Sequence, residues 1–132
     1  KVVDAETLLV KRAPEDHPEH GPLERNVALL RDLATPSGGR YRILRIDCAP
    51  YGSMDMSRWG GEGEEELLPA YTNSLRLNGA VYVPLYDGPA DAAALATYRE
   101  AFPDCEVRGY VFDGWKPFDA LHCRARALRA AP

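Results

Sequence analysis

Cysteine and histidine are both scarce in this chain of 132 residues, which contains three of each. The cysteines are Cys48, Cys105 and Cys123, an odd number at wide spacing, and they form no Cys-x-x-Cys pair. This spacing argues against a zinc site or a thioredoxin-type motif, and the low number argues against a disulfide framework. We therefore expect no metal and at least one free thiol, as in a reducing compartment such as the cytoplasm.

The sequence also lacks a long apolar run and an excess of basic residues. No stretch reaches the roughly 18 apolar residues of a membrane-spanning helix, so we expect no membrane partner. The 16 Lys and Arg residues against 20 Asp and Glu residues give a net charge of −4. This balance argues against a nucleic-acid partner, which requires a basic surface. The chain begins with Lys1-Val2-Val3, which is strand-like and has no Met, so we expect a piece of a larger protein.

What the chain does contain is one supersecondary unit that occurs twice. The first unit, about residues 1–48, predicts a hairpin around residues 4–7, a helix from Pro22 to about Thr35, and a strand over 41–47. Its length and order are those of a hairpin–helix–strand module.

The second unit, about residues 71–113, repeats this order. Its centre is Asn78-Gly79, the strongest short hairpin signal. The other elements predicted in chain order are strands over 71–77 and 80–86, a helix between Pro89 and Pro103, and a strand over 105–112. A last alternating run predicts a closing strand over 120–128. The sequence therefore predicts an α/β fold with a repeat architecture.

Between the units, residues 49–70 interrupt the pattern with glycines and glutamates. This stretch is too long for a structureless connection in a compact domain unless it is functional or mobile. Two interpretations remain open. One is a solvated surface loop, and the other is a lid or substrate-facing loop that carries Met56 and Trp59.

The predicted closing strand contains the most reactive side chain, Cys123, directly after His122. Neighbouring side chains of a strand point to opposite faces, so we do not expect these two residues to form a catalytic pair. His17 and His20 lie in a loop rich in Pro and Glu, where we expect solvated side chains and not metal ligands. On residue chemistry alone, Cys123 is either a structural thiol or a nucleophile.

Several segments together resemble the agmatine deiminase and bacterial peptidylarginine deiminase family. Residues 69–86 contain a Tyr-x-Asn strand, an Asn-Gly turn and a Val-x-x-Pro segment like those of the family. The run Ala120-Leu121-His122-Cys123 is similar to the family's Ile-His-Cys segment, in which the Cys is the nucleophile. Residues 14–18 and the helix that follows also resemble the family, whereas residues 47–67 do not.

The resemblance implies a pentein, a pseudo-fivefold αβ-propeller of hairpin–helix–strand blades. This chain would be a partial propeller, the C-terminal part of a single catalytic domain, with Cys123 as the catalytic nucleophile. The implied activity is hydrolysis of a guanidino group through a covalent thiouronium intermediate, with no cofactor. The implied partners are a small guanidino compound or peptidyl arginine, and the remaining N-terminal part of the enzyme, which would supply the general acid/base. The alternatives are a pentein amidinotransferase or dimethylarginine hydrolase, and a non-catalytic binding module.

The chain departs from the family just before Cys123, where the usual glycines are replaced by Pro117, Phe118 and Asp119. We consider four residues as substrate-binding candidates, and each has a structural alternative. The candidates are Asp119, which also suits a turn cap, Phe118 and Trp115, which also suit packing between blades, and Asn73, which also suits a backbone cap.

Overall fold

The computed structural model describes residues 1–49, 68–115 and 119–126. The elements in chain order are β1 (Thr7–Arg12), α1 (His20–Asp32), β2 (Arg42–Asp47), β3 (Leu75–Leu77), β4 (Ala80–Leu85), α2 (Asp91–Ala101) and β5 (Glu106–Val111). Two parallel strands, β1 and β2, form one sheet, and a second sheet has the order β3-β4-β5.

The first unit is a hairpin-like start followed by a parallel β–α–β crossover. An antiparallel bridge joins Val2 to Leu8, and the N–H of Leu9 donates to the carbonyl of Lys1 at 2.9 Å. Strand β1 then pairs in parallel with β2, from Thr7 opposite Arg42 onward. The connecting helix α1 buries Val27 completely against the sheet.

The second unit has the same order with a fuller hairpin. Strands β3 and β4 pair in an antiparallel fashion, and β4 pairs in parallel with β5. The turn between β3 and β4 has positive φ at both central residues, 50° at Asn78 and 76° at Gly79. Asn and Gly are the residues that tolerate this conformation, which explains why the Asn-Gly pair fixes the register here.

The mixed α/β class is therefore confirmed. The second unit has the order hairpin, helix, strand, whereas in the first unit a single bridge between Val2 and Leu8 lies where a hairpin is predicted. Within the described residues the two sheets are small and do not close into a ring. A propeller of five blades stays a prediction, as does the assignment of the chain to one catalytic domain.

The two units share one hydrophobic core. Helix α2 of the second unit packs against β2 of the first. The cluster combines Leu9 and Ile46 from the first unit with Val81, Val83 and Tyr98 from the second, all at most 2% exposed. Burial of such side chains contributes about 1.5–3 kcal/mol each, so this shared core holds the units together.

Two predicted boundaries are wrong. Helix α1 ends at Asp32, not near Thr35, because Leu33 is extended and Ala34 forms a bridge with Arg40. Strand β3 begins at Leu75, not at residue 71, because the N–H of Asn73 turns back to the carbonyl of Ala70 at 3.0 Å.

The ends of the irregular stretch between the units meet. The N–H of Ala49 donates to the carbonyl of Pro69 at 3.3 Å, and Leu68 is buried. Met56 and Trp59, on which the lid interpretation depends, lie outside the described residues. Neither interpretation of this stretch is tested. Neither α1 nor α2 is long and apolar enough to cross a membrane.

Candidate active site

Cys123 lies in a compact turn, not in a strand. The N–H of Arg124 donates to the carbonyl of Ala120 at 3.1 Å, and that of Ala125 donates to the carbonyl of His122 at 3.2 Å. The predicted closing strand over 120–128 is therefore wrong for its described part, residues 120–126. Strand alternation therefore does not place His122 and Cys123 on opposite faces.

The reason for the turn is a long-range contact with Asn73. The Asn73 Oδ1 atom accepts the backbone N–H of His122 at 3.0 Å and that of Cys123 at 3.2 Å. The N–H of His122 also lies 3.1 Å from the backbone carbonyl of Asn73. Because these donors are satisfied by Asn73, they do not need a neighbouring strand.

The other end of the same amide faces the thiol. Asn73 Nδ2 donates to Cys123 Sγ at 3.1 Å. The orientation of this amide is set by its contacts, since exchanging its oxygen and nitrogen would point an NH2 group at two backbone N–H donors. Asn73 thus presents a donor to the sulfur, and a donor in this position stabilises negative charge on a thiolate.

Asn73 is itself held by buried neighbours. Tyr71 is 1% exposed and Ser74 is 0% exposed. The hydroxyl of Tyr98, from α2, donates to the Tyr71 carbonyl at 2.8 Å and lies 2.8 Å from Ser74 Oγ. The hydroxyl of Tyr71 donates to Asp91 Oδ1 at 2.7 Å. The segment that carries Asn73 is therefore anchored to α2 on both sides.

Burial affects the ionisation of these tyrosines. Removal from water, followed by the hydrogen bond to Asp91, raises the pKa of Tyr71 well above its usual value of 10.0. Burial likewise raises the pKa of Tyr98. Both hydroxyls therefore stay protonated near neutral pH and act as donors.

The three thiols differ in access. Cys48 is buried, Cys105 is half-buried and Cys123 is exposed. Burial raises the pKa of the Cys48 thiol to about 11, so it stays neutral and inert near neutral pH. Among the three, only Cys123 combines exposure with a donor directed at its sulfur.

The other predicted binding residues surround a guanidinium of the chain itself. Asp119 Oδ2 accepts from Arg124 Nε at 3.0 Å. The Cζ atom of Arg124 lies 5.6 Å from the Trp115 ring centre, and Trp115 is 8% exposed. Phe118 lies outside the described residues. The structure thus groups Asp119 and Trp115 around Arg124 and places Asn73 at Cys123.

Arg124 was not predicted as a site residue. Its contact partners are on the segment after β5 and at the start of the Cys123 turn, and no local spacing rule connects them.

His17, just before α1, and His20, the first residue of α1, both make hydrogen bonds to nearby residues. His17 Nδ1 accepts the N–H of Glu19 at 3.1 Å, and His20 Nδ1 lies 2.9 Å from the carbonyl of Ala13. Both side chains are half-buried, which corrects the expectation of fully solvated rings. In the described ranges no group of three or more His, Cys, Asp or Glu residues is arranged to hold a metal ion.

Several solved structures of proteins named as deiminases are similar to this chain. A Porphyromonas gingivalis protein, provisionally named an arginine deiminase, is 31% identical, with a TM-score of 0.78 over 93% of this chain and 34% of that chain. The C. jejuni agmatine deiminase is 19% identical, with a TM-score of 0.71 over 92% of this chain and 33% of that one. A Cys-to-Ser variant of the C. jejuni enzyme with substrate bound is also similar, at 19% identity and a TM-score of 0.62 over 82% of this chain and 28% of that one.

The chain spans about one third of the length of these solved proteins. The family of Porphyromonas-type peptidyl-arginine deiminases matches residues 1–123, which is nearly the whole chain. The match ends at Cys123, the residue that Asn73 contacts. The chain belongs to the family of Porphyromonas-type peptidyl-arginine deiminases.

Proposed function

We propose that this chain forms part of a hydrolase of guanidino groups in which Cys123 is the nucleophile. The observation that carries the proposal is the Asn73 amide, which donates to Cys123 Sγ at 3.1 Å while its oxygen caps the turn that presents the thiol. Family membership and the similarity to agmatine deiminases support the substrate class.

The proposed reaction has two steps. In the first, the Cys123 thiolate attacks the central carbon of the guanidinium, a carbon–nitrogen bond breaks, and the leaving nitrogen takes a proton and departs as ammonia. A positively charged thiouronium remains on the sulfur. In the second, water adds to the same carbon and loses both of its protons, one to the base that protonated the leaving nitrogen and one to solvent. The carbon–sulfur bond breaks, and the ureido product leaves as the thiolate is regenerated.

Asn73 has two roles in this scheme. Its N–H stabilises the anionic sulfur before attack and after product release. Its oxygen fixes the backbone of His122 and Cys123, so that the thiol is presented in one orientation. Because one side chain holds both the sulfur and the backbone of Cys123, it pre-organises the nucleophile and reduces the reorganisation needed when the substrate binds.

The proposal also includes residues beyond this chain. We propose that the general acid/base and the carboxylates that clamp the guanidinium lie beyond this chain. We also propose that the complete domain is a propeller of such units. The 132 residues alone are then expected to be inactive, and ammonia release by this chain without other residues would contradict that proposal.

The test of the function is product release by the full-length protein. It should be given agmatine, a small guanidino acid and a peptide containing arginine, with release of ammonia and of the ureido product measured together. Equimolar formation of both products from at least one substrate supports a deiminase. Transfer of the amidino group to an added amine without ammonia would instead indicate an amidinotransferase. Binding of these compounds without any product would indicate a binding module.

A further inference from the structure

The residue directly after the proposed nucleophile, Arg124, ties the Cys123 turn to the segment that follows β5. Its Nη2 atom donates to the carbonyl of Gly114 at 2.8 Å and lies 3.0 Å from Asp119 Oδ2. Its Nε donates to the same Asp119 oxygen at 3.0 Å. The Arg124 guanidinium therefore links Asp119, which lies just before the turn, to the backbone carbonyl of Gly114.

Aromatic rings cover the same guanidinium. Its Cζ atom lies 5.6 Å from the ring centre of Trp115 and 5.9 Å from that of Phe112, within the range of cation–π attraction. The two rings pack edge to face at 4.9 Å, and Trp115 Nε1 donates to the carbonyl of Tyr110 at 3.3 Å. The support beneath Arg124 is thus fixed to the end of β5.

These contacts give the pair more partners than an isolated surface salt bridge has. The side chains of Arg124 and Asp119 are 36% and 33% exposed, so solvent screens them only in part. The Arg124 guanidinium donates from two nitrogen atoms and presents a flat face to the aromatic rings. The ammonium group of a lysine cannot reproduce this geometry.

We propose that Arg124 is a positioning residue, which holds the Cys123 turn so that Sγ remains at Asn73 Nδ2. The inference rests on the proposed function, because it assigns Arg124 a purpose in presenting the nucleophile. Asn73 fixes the backbone at His122 and Cys123 from one side, and Arg124 fixes the following residue from the other. In this arrangement Asp119 and Trp115 act by binding Arg124.

The test compares Arg124→Ala with Arg124→Lys and with Arg126→Ala, whose exposed side chain is two residues further along, all in the full-length protein. The first readout is hydrogen exchange at the amides of His122 and Cys123, which Asn73 protects. We expect Arg124→Ala to speed this exchange about tenfold, Arg124→Lys to speed it less, and Arg126→Ala to leave it unchanged. Millimolar guanidinium chloride should restore slow exchange in Arg124→Ala, whereas ammonium chloride should not.

The second readout separates positioning from substrate contact. We expect Arg124→Ala to lower kcat by about 10- to 100-fold with KM within about twofold of wild type. Unchanged exchange, or unchanged kcat, would overturn the inference. A rise in KM without a fall in kcat would also overturn it, because it would indicate a residue that contacts substrate.

If Arg124→Ala fails to fold, Asp119→Asn answers the same question with little change in volume. It should speed the same exchange and lower kcat, and wild-type exchange in this variant counts against the inference. Hydrogen exchange does not depend on the chemistry. A protein with no deiminase activity but with exchange controlled by Arg124 would therefore refute the proposed function and the catalytic purpose of Arg124, while leaving the anchoring contact established.

Discussion

Asn73 and Cys123 contact each other at two points, through the thiol and through the backbone. The amide nitrogen donates to Sγ at 3.1 Å, and the amide oxygen accepts the Cys123 N–H at 3.2 Å. One side chain from the second hairpin unit therefore sets both the electrostatic environment and the orientation of the proposed nucleophile.

Replacing Asn73 with Ala should lower kcat by about 100-fold, as is typical when one pre-organised donor is removed from charge on a reacting atom. Asn73→Asp should be at least as damaging, since its carboxylate places negative charge beside the thiolate. The measurement is steady-state ammonia release. Asn26→Ala, an exposed Asn on α1, is the matched control and should keep wild-type kcat. Equal kcat for Asn73→Ala and the control would contradict the role of Asn73.

Replacing Tyr98 with Phe should destabilise the fold by about 1–3 kcal/mol, because Ser74 Oγ and the Tyr71 carbonyl lose a buried partner. Urea unfolding measures this change. Tyr110→Phe removes a hydroxyl from a side chain that is 46% exposed and should shift the free energy of unfolding by less than about 0.5 kcal/mol. A Tyr98 variant as stable as the Tyr110 variant would show that this hydroxyl does not anchor the Asn73 segment.

The three thiols should react with iodoacetamide in the order of their exposure. Cys123 is exposed, Cys105 is half-buried and Cys48 is buried, so labelling should proceed in that order in the native protein. Mass spectrometry of the digested protein locates the label. In the unfolded protein the three thiols should be labelled at similar rates. Labelling of native Cys48 as fast as Cys123 would be incompatible with the burial described above.

Stability should fall in the alkaline range because of Cys48. Its pKa is raised from 9.0 to about 11 in the folded protein, chiefly by burial. Between these values the unfolded chain has lost the thiol proton while the folded protein retains it, so the unfolded state binds fewer protons. The free energy of unfolding therefore decreases as pH rises, by at most about 1.4 kcal/mol per pH unit.

Denaturant titrations at several pH values test this dependence. The useful window is pH 9 to 10, since the tyrosines whose pKa burial raises have a usual value of 10.0. Cys48→Ala removes the titrating thiol and should flatten the curve in that window. An unchanged slope in the variant would assign the effect to other groups.

The sequence was informative where a structure depends on local chemistry. Asn78 and Gly79 both have positive φ, and the Asn-Gly pair predicted that turn because few other residues tolerate such angles. The buried Val27 and Tyr98 follow from helical spacing. These elements carry their own signal within a few residues, and together they revealed the repeated unit.

The Cys123 turn was missed because its cause is distant in sequence. The alternation of Leu121, Cys123 and Ala125 resembles a strand, but the N–H groups there are satisfied by Asn73. The role of Arg124 could not be predicted for a similar reason. Its guanidinium contacts Gly114 and two aromatic rings of another segment. Contacts of this kind leave no periodicity in the sequence.

The central claim is that Cys123 attacks the guanidinium carbon, and removal of its sulfur tests this most directly. Ammonia release from agmatine or peptidyl arginine should be measured for full-length wild-type protein, Cys123→Ala and Cys105→Ala. We expect no detectable turnover in Cys123→Ala, normal turnover in Cys105→Ala, and an acid-trapped amidino adduct in the wild-type peptide that contains Cys123. Wild-type turnover by Cys123→Ala would contradict the account.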